Sequence, residues 1–214
     1  MTHLTTIYIV RHGQTEWNVL GKMQGHQDSP LTELGTCQAR WLGEALAEEP
    51  IDVIYSSSSG RAVLTAEVIR GSREIPVTLT DNLREMNLGL WEGRTGDELK
   101  LEEPVKYQQF WEEPELFAAD GGETYIETMD RAQQELKHIL KVNQGKTVLI
   151  VTHTVVVKLL MTWIEQRSLE TLWDLPYIHP ASLCKIVFNE ENKPKVVLHA
   201  DISHYPETAG MNGT

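Results

Sequence analysis

The chain has 214 residues, 41% of them hydrophobic, and a formal net charge of −12 at pH 7. A chain of this length can bury one hydrophobic core, and we expect a single domain over residues 1–205. The acidic balance argues against nucleic-acid or anionic-membrane partners, since both require a basic surface. No apolar run approaches the roughly 20 residues that cross a bilayer, and residues 1–3 begin no signal sequence, which predicts a cytoplasmic protein.

Short β-branched runs alternate with amphipathic patterns along the chain. The runs predict strands buried on both faces of a mostly parallel sheet, and the apolar stripes between them predict helices. This alternation indicates an α/β fold, a three-layer α/β/α sandwich. The predicted strands are Thr5–Val10, Ile51–Tyr55, Pro76–Leu79, Thr147–Thr152, Leu183–Phe188 and Lys195–Ala200. The predicted helices contain Leu34–Leu46, Ile126–Leu140 and Val155–Ile164, the last of them apolar almost all round.

Residues 100–123 interrupt the alternation with two prolines, several aromatic residues and many carboxylates. This composition suits an inserted lid over a site better than a sheet element, and the alternative is a surface excursion with aromatic anchors. Tyr107, Phe110, Trp111 and Phe117 suggest that the lid gives the site an apolar rim. Residues 206–214, rich in Gly, Thr and Asn, predict a flexible C-terminal tail. The sequence gives no indication of oligomeric state.

Two predicted strands end in residues that suit a functional site. Ligands of open α/β sheets bind beyond the carboxyl ends of the strands, where Arg11 and His12 follow Val10. Gly13 would permit close approach of the backbone to a ligand. The run "TVLIVTH" ends in His153, which we expect to converge with His12. Either histidine alone could instead have a structural role.

Arg61 and Glu85 are the next candidates. Arg61 falls in the first turn of a helix that opens at Gly60, where the helix dipole prefers an anion to a cation. A bound anion would remove this conflict, and Arg11 and Arg61 could clamp a phosphate in fork geometry. Glu85 lies in a loop among apolar side chains, where burial would raise its pKa toward that of a general acid. A solvated Arg61 and a structural ion pair of Glu85 are the alternatives.

Five segments together resemble, in order, the motifs of the histidine phosphatase superfamily, the phosphoglycerate mutase-like group. They are RHGQTEWN (11–18), MQGHQDSPLTELG (23–35), SSSSGRAVLTAE (56–67), LREMNLGLWEG (83–93) and VTH (151–153). Within the group the chain looks most similar to short bacterial broad-specificity phosphatases. The resemblance implies a metal-independent histidine acid-type phosphatase that needs no cofactor and hydrolyses phosphate monoesters of small molecules.

The resemblance also implies roles for single residues. His12 would be the nucleophile that forms a phosphohistidine intermediate, kept neutral by Arg11 and Arg61. Arg11, Arg61 and His153 would bind the phosphoryl oxygens. Glu85 would protonate the leaving alcohol and then activate water.

Three further residues complete the expected phosphate site. Asn18 would add a neutral donor, although asparagine also caps helices. Gln24 would line the pocket. Thr154 stands where family members commonly carry glycine; its backbone N–H would still face an anion at a helix start, while its side chain narrows the pocket.

Other functions are weighed against this hypothesis. Phosphoglycerate mutase-type transfer would need extra cations in the inserted segment, which has only Lys100 and Lys106, so hydrolysis of esters with aromatic or hydrophobic leaving groups is favoured. In a non-catalytic phospho-ligand module, Thr154 would have abolished turnover. A metallohydrolase using His12, His153 and Glu85 would place two arginines beside the metal. The motifs of serine hydrolases, P-loop NTPases and cysteine phosphatases do not occur.

Overall fold

One six-stranded sheet organises residues 4–206, the part of the chain that this computed structural model describes. Of the predicted tail, residues 206–214, only Pro206 belongs to the described residues. The strands are β1 (Thr5–Arg11), β2 (Val53–Ser57), β3 (Val77–Thr80), β4 (Thr147–Thr152), β5 (Leu183–Phe188) and β6 (Pro194–Asp201). The helices are α1 (Glu16–Val19), α2 (Glu33–Ala45), α3 (Gly60–Arg70), α4 (Gly96–Glu102), α5 (Pro104–Glu112), α6 (Tyr125–Val142) and α7 (Thr154–Ile164).

The strand order is β3-β2-β4-β1-β5-β6. The first four strands of this order pair in parallel, and β5 and β6 add an antiparallel edge. The prediction of a mostly parallel sheet is therefore confirmed, and each predicted strand forms within two residues of its predicted bounds. In residues 4–206 no helix is both long and apolar enough to cross a membrane.

Alternate residues of the central strands enter different cores, because successive side chains of a strand point to opposite faces. Ile7 and Ile9 of β1 pack in a cluster with α6 and α7, whereas Tyr8 and Val10 pack with α2 and α3. The predicted three-layer α/β/α arrangement follows from these two faces. A third apolar cluster joins α4 and α5 to α7, through residues such as Phe110 and Leu159.

The exposure of several residues differs from the prediction. The edge strands β3 and β6 are not buried on both faces, because each has only one neighbouring strand and solvent reaches Leu79 and Val197. In α6, Ile126 of the predicted apolar stripe is exposed, whereas the adjacent Tyr125 is buried and its hydroxyl donates to the carbonyl of Phe110 at 2.9 Å.

Candidate active site

The two histidines meet at the carboxyl ends of adjacent parallel strands. β1 and β4 pair with Arg11 opposite Thr152, so His12 and His153 leave the sheet side by side. The N–H of His12 donates to the carbonyl of Thr152 at 2.9 Å, and the ring centroids lie 5.2 Å apart. The convergence that the strand ends predicted is present, and it depends on the parallel register of these two strands.

His12 is held with a free lone pair on one ring nitrogen. Its Nδ1 lies 2.7 Å from the carbonyl oxygen of Gly13, which can only accept, so Nδ1 carries the proton and Nε2 does not. Burial lowers the pKa of His12 well below its usual value, and the charges of Arg61 and Arg11 lower it further. The two arginines act in the expected direction, but burial is the larger cause. The ring is therefore neutral, with a lone pair on Nε2.

His153 is oriented by a hydrogen bond between its Nε2 and the hydroxyl of Ser57, the last residue of β2. The Ser57 hydroxyl oxygen accepts from the N–H of Ser59 at 3.3 Å, and it lies 2.7 Å from Nε2 of His153. The Ser57 hydroxyl has a proton that it can donate to Nε2, and in that arrangement Nδ1 of His153 carries the ring proton and can donate to a ligand. Burial first, and then Arg61, lower the pKa of His153, so the ring is neutral.

The guanidinium groups are already partly bound by the protein. Nη1 of Arg11 donates to the carbonyl of Ile178 at 2.7 Å. Nη1 and Nη2 of Arg61 donate to Asp28 and to the carbonyl of Gly25, both at 2.8 Å. The two-pronged clamp expected from Arg61 is therefore not free in this conformation. Its Nε remains buried without a hydrogen-bond partner among residues 4–206, as does Nε of Arg11.

Asp28 resolves the dipole conflict that the position of Arg61 created. Arg61 is 2% exposed in the first turn of α3, and a carboxylate oxygen of Asp28 also accepts its backbone N–H at 3.2 Å. A Cβ at Gly60 would overlap this carboxylate. The anion at the helix start is thus a side chain of the protein itself. Sequence patterns did not indicate this role, because Asp28 is a single loop carboxylate 33 residues away.

Glu92 fixes the loop that carries Asp28. Its Oε1 accepts the N–H groups of His26 at 2.7 Å and Leu88 at 3.1 Å, and its Oε2 accepts that of Gln27 at 2.6 Å. The carbonyl of Gln27 in turn accepts from Arg61 at 3.0 Å. One carboxylate therefore ties the loop below Arg61 to the loop that follows Glu85.

The side chain of Glu85 is buried against the first turn of α7. Its carboxylate oxygens accept the N–H of Met86 at 2.9 Å and that of Val155, the second residue of α7, at 3.1 Å. Burial raises the pKa of Glu85 above its usual value, while these two donors and Arg61 act against the rise. The predicted shift toward a general acid is present in direction.

The side chains of Asn18 and Gln24 both form hydrogen bonds within the loop that surrounds them. Oδ1 of Asn18 accepts the N–H of Thr15 at 3.0 Å in a capping box, so the alternative of a helix cap is observed. Its amide nitrogen is the group that a ligand could use. The Gln24 amide lies between the hydroxyls of Thr15, at 3.0 Å, and Ser29, at 2.9 Å, and is occupied at both atoms.

A cavity of about 300 Å³ is lined in part by His12 and brings most of the predicted residues together. The predicted residues that line it are Arg11, His12, Asn18, Gln24, Glu85 and Thr154. Arg61 and His153 are buried and do not line it. Phe110 and Trp111 form part of the expected apolar rim, but Tyr107 and Phe117 do not line the cavity. The other rim residues, Trp173, Leu175 and Tyr177, come from the chain after α7 and were not predicted.

Half of residues 100–123 lie in the end of α4 and in α5. Neither Lys100 nor Lys106 lines the cavity, and Lys106 forms an ion pair with Asp120 at 2.6 Å. That residues 100–123 act as a lid over the cavity stays a prediction.

Lys158 is a cavity residue that the sequence reasoning missed. Its signal was present, since it is the one charged residue within the apolar run Val155–Ile164 that was predicted to be buried.

The structure shows a reason for Gly13 other than the predicted one. A Cβ at Gly13 would overlap the backbone carbonyl of Gly35 at the start of α2, so the glycine allows two protein segments to approach each other. Close approach of a ligand at Gly13 stays a prediction.

The metallohydrolase alternative requires a cluster of ligands. Among residues 4–206, no three His, Cys, Asp or Glu side chains are placed to hold a metal ion together.

This geometry agrees with the comparisons with known proteins. The sequence profile of the histidine phosphatase superfamily (branch 1) matches residues 7–202, and the chain belongs to this family. Phosphoserine phosphatase 1 of Hydrogenobacter thermophilus is 32% identical over 170 residues, 79% of this chain and 81% of that protein. Probable phosphoglycerate mutase GpmB of Salmonella choleraesuis is 35% identical over 168 residues, 75% of this chain and 78% of that protein.

Among solved structures, Bacillus stearothermophilus YhfR is similar with a TM-score of 0.91 and 43% identity, covering 94% of this chain and 98% of the other. The predicted family and fold class are both confirmed.

Proposed function

We propose that the protein hydrolyses phosphate monoesters of small molecules through a phosphohistidine on His12. One observation carries this proposal. The unprotonated Nε2 of His12 belongs to a site with three buried nitrogens that have no partner among residues 4–206: the donors Nε of Arg11 and Nε of Arg61, and Nδ1 of His153, which donates when Ser57 donates to Nε2. Buried donors without partners are costly, and a phosphoryl group supplies the oxygens that would satisfy them.

The first step transfers the phosphoryl group to the protein. The lone pair of Nε2 forms a bond to phosphorus while the bond from phosphorus to the alcohol oxygen breaks. Glu85, protonated, gives its proton to that oxygen as it leaves. The imidazole of His12 gains positive charge, which the hydrogen bond from Nδ1 to the Gly13 carbonyl stabilises. Arg11, Arg61 and His153 bind the equatorial oxygens.

The second step returns the enzyme to its starting state. The carboxylate of Glu85 takes a proton from water as the water oxygen attacks phosphorus. The bond between phosphorus and Nε2 breaks and its electron pair returns to His12. Inorganic phosphate leaves, and Glu85 is protonated again. Asn18 and the first turn of α7, with Thr154, would orient the phosphoryl group during both steps.

The proposal includes no metal and no cofactor, because each step uses only side chains of the chain and water. Its partner is a small phosphate ester, in agreement with the name of the phosphoserine phosphatase that this chain is similar to. A cytoplasmic location belongs to the same proposal.

Mutase-type transfer is the second candidate, and one observation favours it. Lys22 and Lys158 line the cavity together with Arg11, so cations for a second anionic group are available outside residues 100–123, where the sequence reasoning looked for them. The relative named as a probable phosphoglycerate mutase is consistent with this candidate. A mutase would pass the phosphoryl group of His12 to an added acceptor alcohol faster than to water.

The test follows the phosphoryl group. Purified protein is given 4-nitrophenyl phosphate with and without chelator, and acid-labile phosphate on the protein is measured after rapid quenching. We expect hydrolysis that the chelator does not change, and labelling that His12→Ala abolishes. The matched control is His138→Ala, which removes an exposed histidine from α6.

Three outcomes would contradict the proposal. Full activity of a folded His12→Ala variant would remove the nucleophile. Vanadate binding without turnover in the wild type would favour the phospho-ligand module. Loss of activity with chelator, restored by added metal, would favour a metallohydrolase.

A further inference from the structure

The loop that carries Glu85 has no regular secondary structure to hold it. Residues 84–88 belong to no helix or strand, although Glu85 is only 5% exposed. Buried backbone groups need hydrogen-bond partners, and in this loop side chains supply several of them. The N–H of Asn87, for example, donates to the carboxylate of Glu123 at 2.8 Å. The side chains that bind this loop therefore determine where Glu85 lies.

Arg131 of α6 binds the loop through three carbonyl groups. Its Nη1 donates to the carbonyls of Asn82 at 3.0 Å and Arg84 at 2.7 Å. Its Nη2 donates to the carbonyl of Glu85 itself at 2.9 Å. The remaining donors bind Glu123, Nε to Oε1 at 2.7 Å and Nη2 to Oε2 at 2.8 Å. A guanidinium group has five N–H donors, so all of them are used inside the protein.

Glu123 extends this contact to the other side of Glu85. Its Oε2 accepts the N–H of Asn87, and its own N–H donates to the carbonyl of Asn87 at 2.8 Å. Together, Arg131 and Glu123 bind the backbone before Glu85 and after it. The planar fork of an arginine can make such bonds to a carboxylate and to carbonyls at once, which a lysine cannot.

The carboxyl group of Glu85 depends on this fixed backbone when it is protonated. The N–H groups of Met86 and Val155 that bind its oxygens favour the charged form. The first step of the proposed mechanism, however, requires Glu85 to carry a proton. These donors bind the protonated acid less tightly, so its position is determined more by the loop backbone and hence by Arg131.

The charge of Arg131 is compensated within the same contact. An unpaired cation close to Glu85 would favour the ionised carboxylate, which cannot donate a proton. The two hydrogen bonds to Glu123 place an opposite charge directly on the guanidinium group. Burial raises the pKa of Glu85, and Arg131 opposes this rise less than Arg61 does. Arg131 can therefore hold the loop and leave Glu85 able to bind a proton.

We infer that Arg131 is a positioning residue that holds Glu85 where it can pass its proton to the leaving oxygen. It acts through the carbonyls of residues 82, 84 and 85 and through the carboxylate of Glu123. This inference rests on the proposed function, in which Glu85 is the general acid. A contribution to stability alone is the alternative.

The experiment separates positioning from stability by the leaving group. The alkoxide released from glycerol 3-phosphate needs a proton, whereas the leaving group of 4-nitrophenyl phosphate needs little protonation. We expect Arg131→Met to lower kcat for glycerol 3-phosphate about 10- to 100-fold with KM little changed, because a displacement of about 1 Å can cost this much. For 4-nitrophenyl phosphate we expect kcat to fall less than about threefold. Both values are expressed per vanadate-binding site, so that unfolded protein does not lower them.

A second measurement shows whether Arg131 acts through Glu85. Glu85→Gln has no acidic proton to position, so adding Arg131→Met should lower kcat for glycerol 3-phosphate by less than about a further threefold. If Arg131→Met does not fold, Arg131→Lys takes its place. An ammonium group has only three donors and no planar fork, so we expect the same selective loss from the lysine variant.

Arg73→Met is the matched control. Arg73 is also partly buried and donates to three backbone carbonyls, those of Arg70 at 3.1 Å, Leu46 at 2.8 Å and Ile69 at 2.7 Å. None of these residues lines the cavity. We expect wild-type kcat for both esters in this variant.

Two results would overturn the inference. Equal losses for the two esters would show that Arg131 contributes to stability alone. A loss in the Glu85→Gln background as large as in the wild type would show that Arg131 does not act through Glu85. Failure of the proposed function is seen separately, since it requires the wild type to hydrolyse both esters and Glu85→Gln to lose activity selectively on glycerol 3-phosphate.

Discussion

The cavity lining has a polar part with Arg11, His12 and Glu85, where we propose that phosphate binds, and an apolar part with Trp111, Leu175 and Tyr177, where we propose that the leaving group binds. We call these two parts the phosphate end and the leaving-group end. Side chains of the first end are buried and hydrogen-bonded to backbone groups of several elements. At the second end, Leu175 is 83% exposed and Trp111 39% exposed. We expect the phosphate end to determine the rate of the chemical step, and the leaving-group end to determine which ester is accepted.

The largest effect that would test this division is expected from Glu85→Gln. The variant cannot give a proton to the leaving oxygen, and we expect kcat for alkyl phosphates to fall about 10²- to 10⁴-fold. The loss should be much smaller for 4-nitrophenyl phosphate, whose leaving group needs little protonation. Steady-state kinetics with both esters measure this. Equal losses would show that Glu85 is structural, and Glu44→Gln, on the exposed side of α2, is the control.

A smaller effect is expected at the leaving-group end. Trp111 packs against Trp173 with ring centroids 4.4 Å apart, and Trp111→Ala would remove one wall of the apolar rim. We expect KM for 1-naphthyl phosphate to rise about three- to tenfold, as for the loss of one aromatic contact, with a lesser change in kcat. Trp163→Ala, outside the cavity, serves as the control. A fall in kcat as large as that of Glu85→Gln would break the division between the two ends.

The smallest effect on kcat is expected when the pH is lowered. A lowered pKa means that His12 takes up a proton only at a pH well below 6.5, so the nucleophile stays neutral as the pH falls through that value. We expect kcat for 4-nitrophenyl phosphate to change less than about twofold from pH 7 to pH 5.5, where an unperturbed histidine would be roughly 90% protonated. A tenfold decline in kcat with a midpoint near pH 6.5 would show that burial and the arginines do not lower the pKa of His12.

The central strands and most of the phosphate end could be predicted from sequence, because their signals are local. β1 and β4 are continuous β-branched runs, and His12 and His153 directly follow them. Glu85 and Arg61 were found for the same reason: each stands next to a recognisable strand, turn or helix start. Local patterns do not report how many neighbours a strand has, and the exposure of β3 and β6 was therefore missed.

The partners of these residues could not be predicted, because they come from distant parts of the chain. Ser57 orients His153 across 96 residues, and Asp28 binds Arg61 across 33. Neither contact leaves a periodic pattern in the sequence. Lys158 is different, since a lone cation in an apolar helix is visible in the sequence, but its meaning depends on the cavity that α7 borders.

Glu92 has a mechanical consequence for the site. Because one carboxylate accepts N–H groups from both loops, the segment beneath Arg61 and the segment after Glu85 share a single anchor. A displacement of either loop would therefore strain the hydrogen bonds that hold the other. We expect this shared anchor to limit independent movement of Glu85 and Arg61.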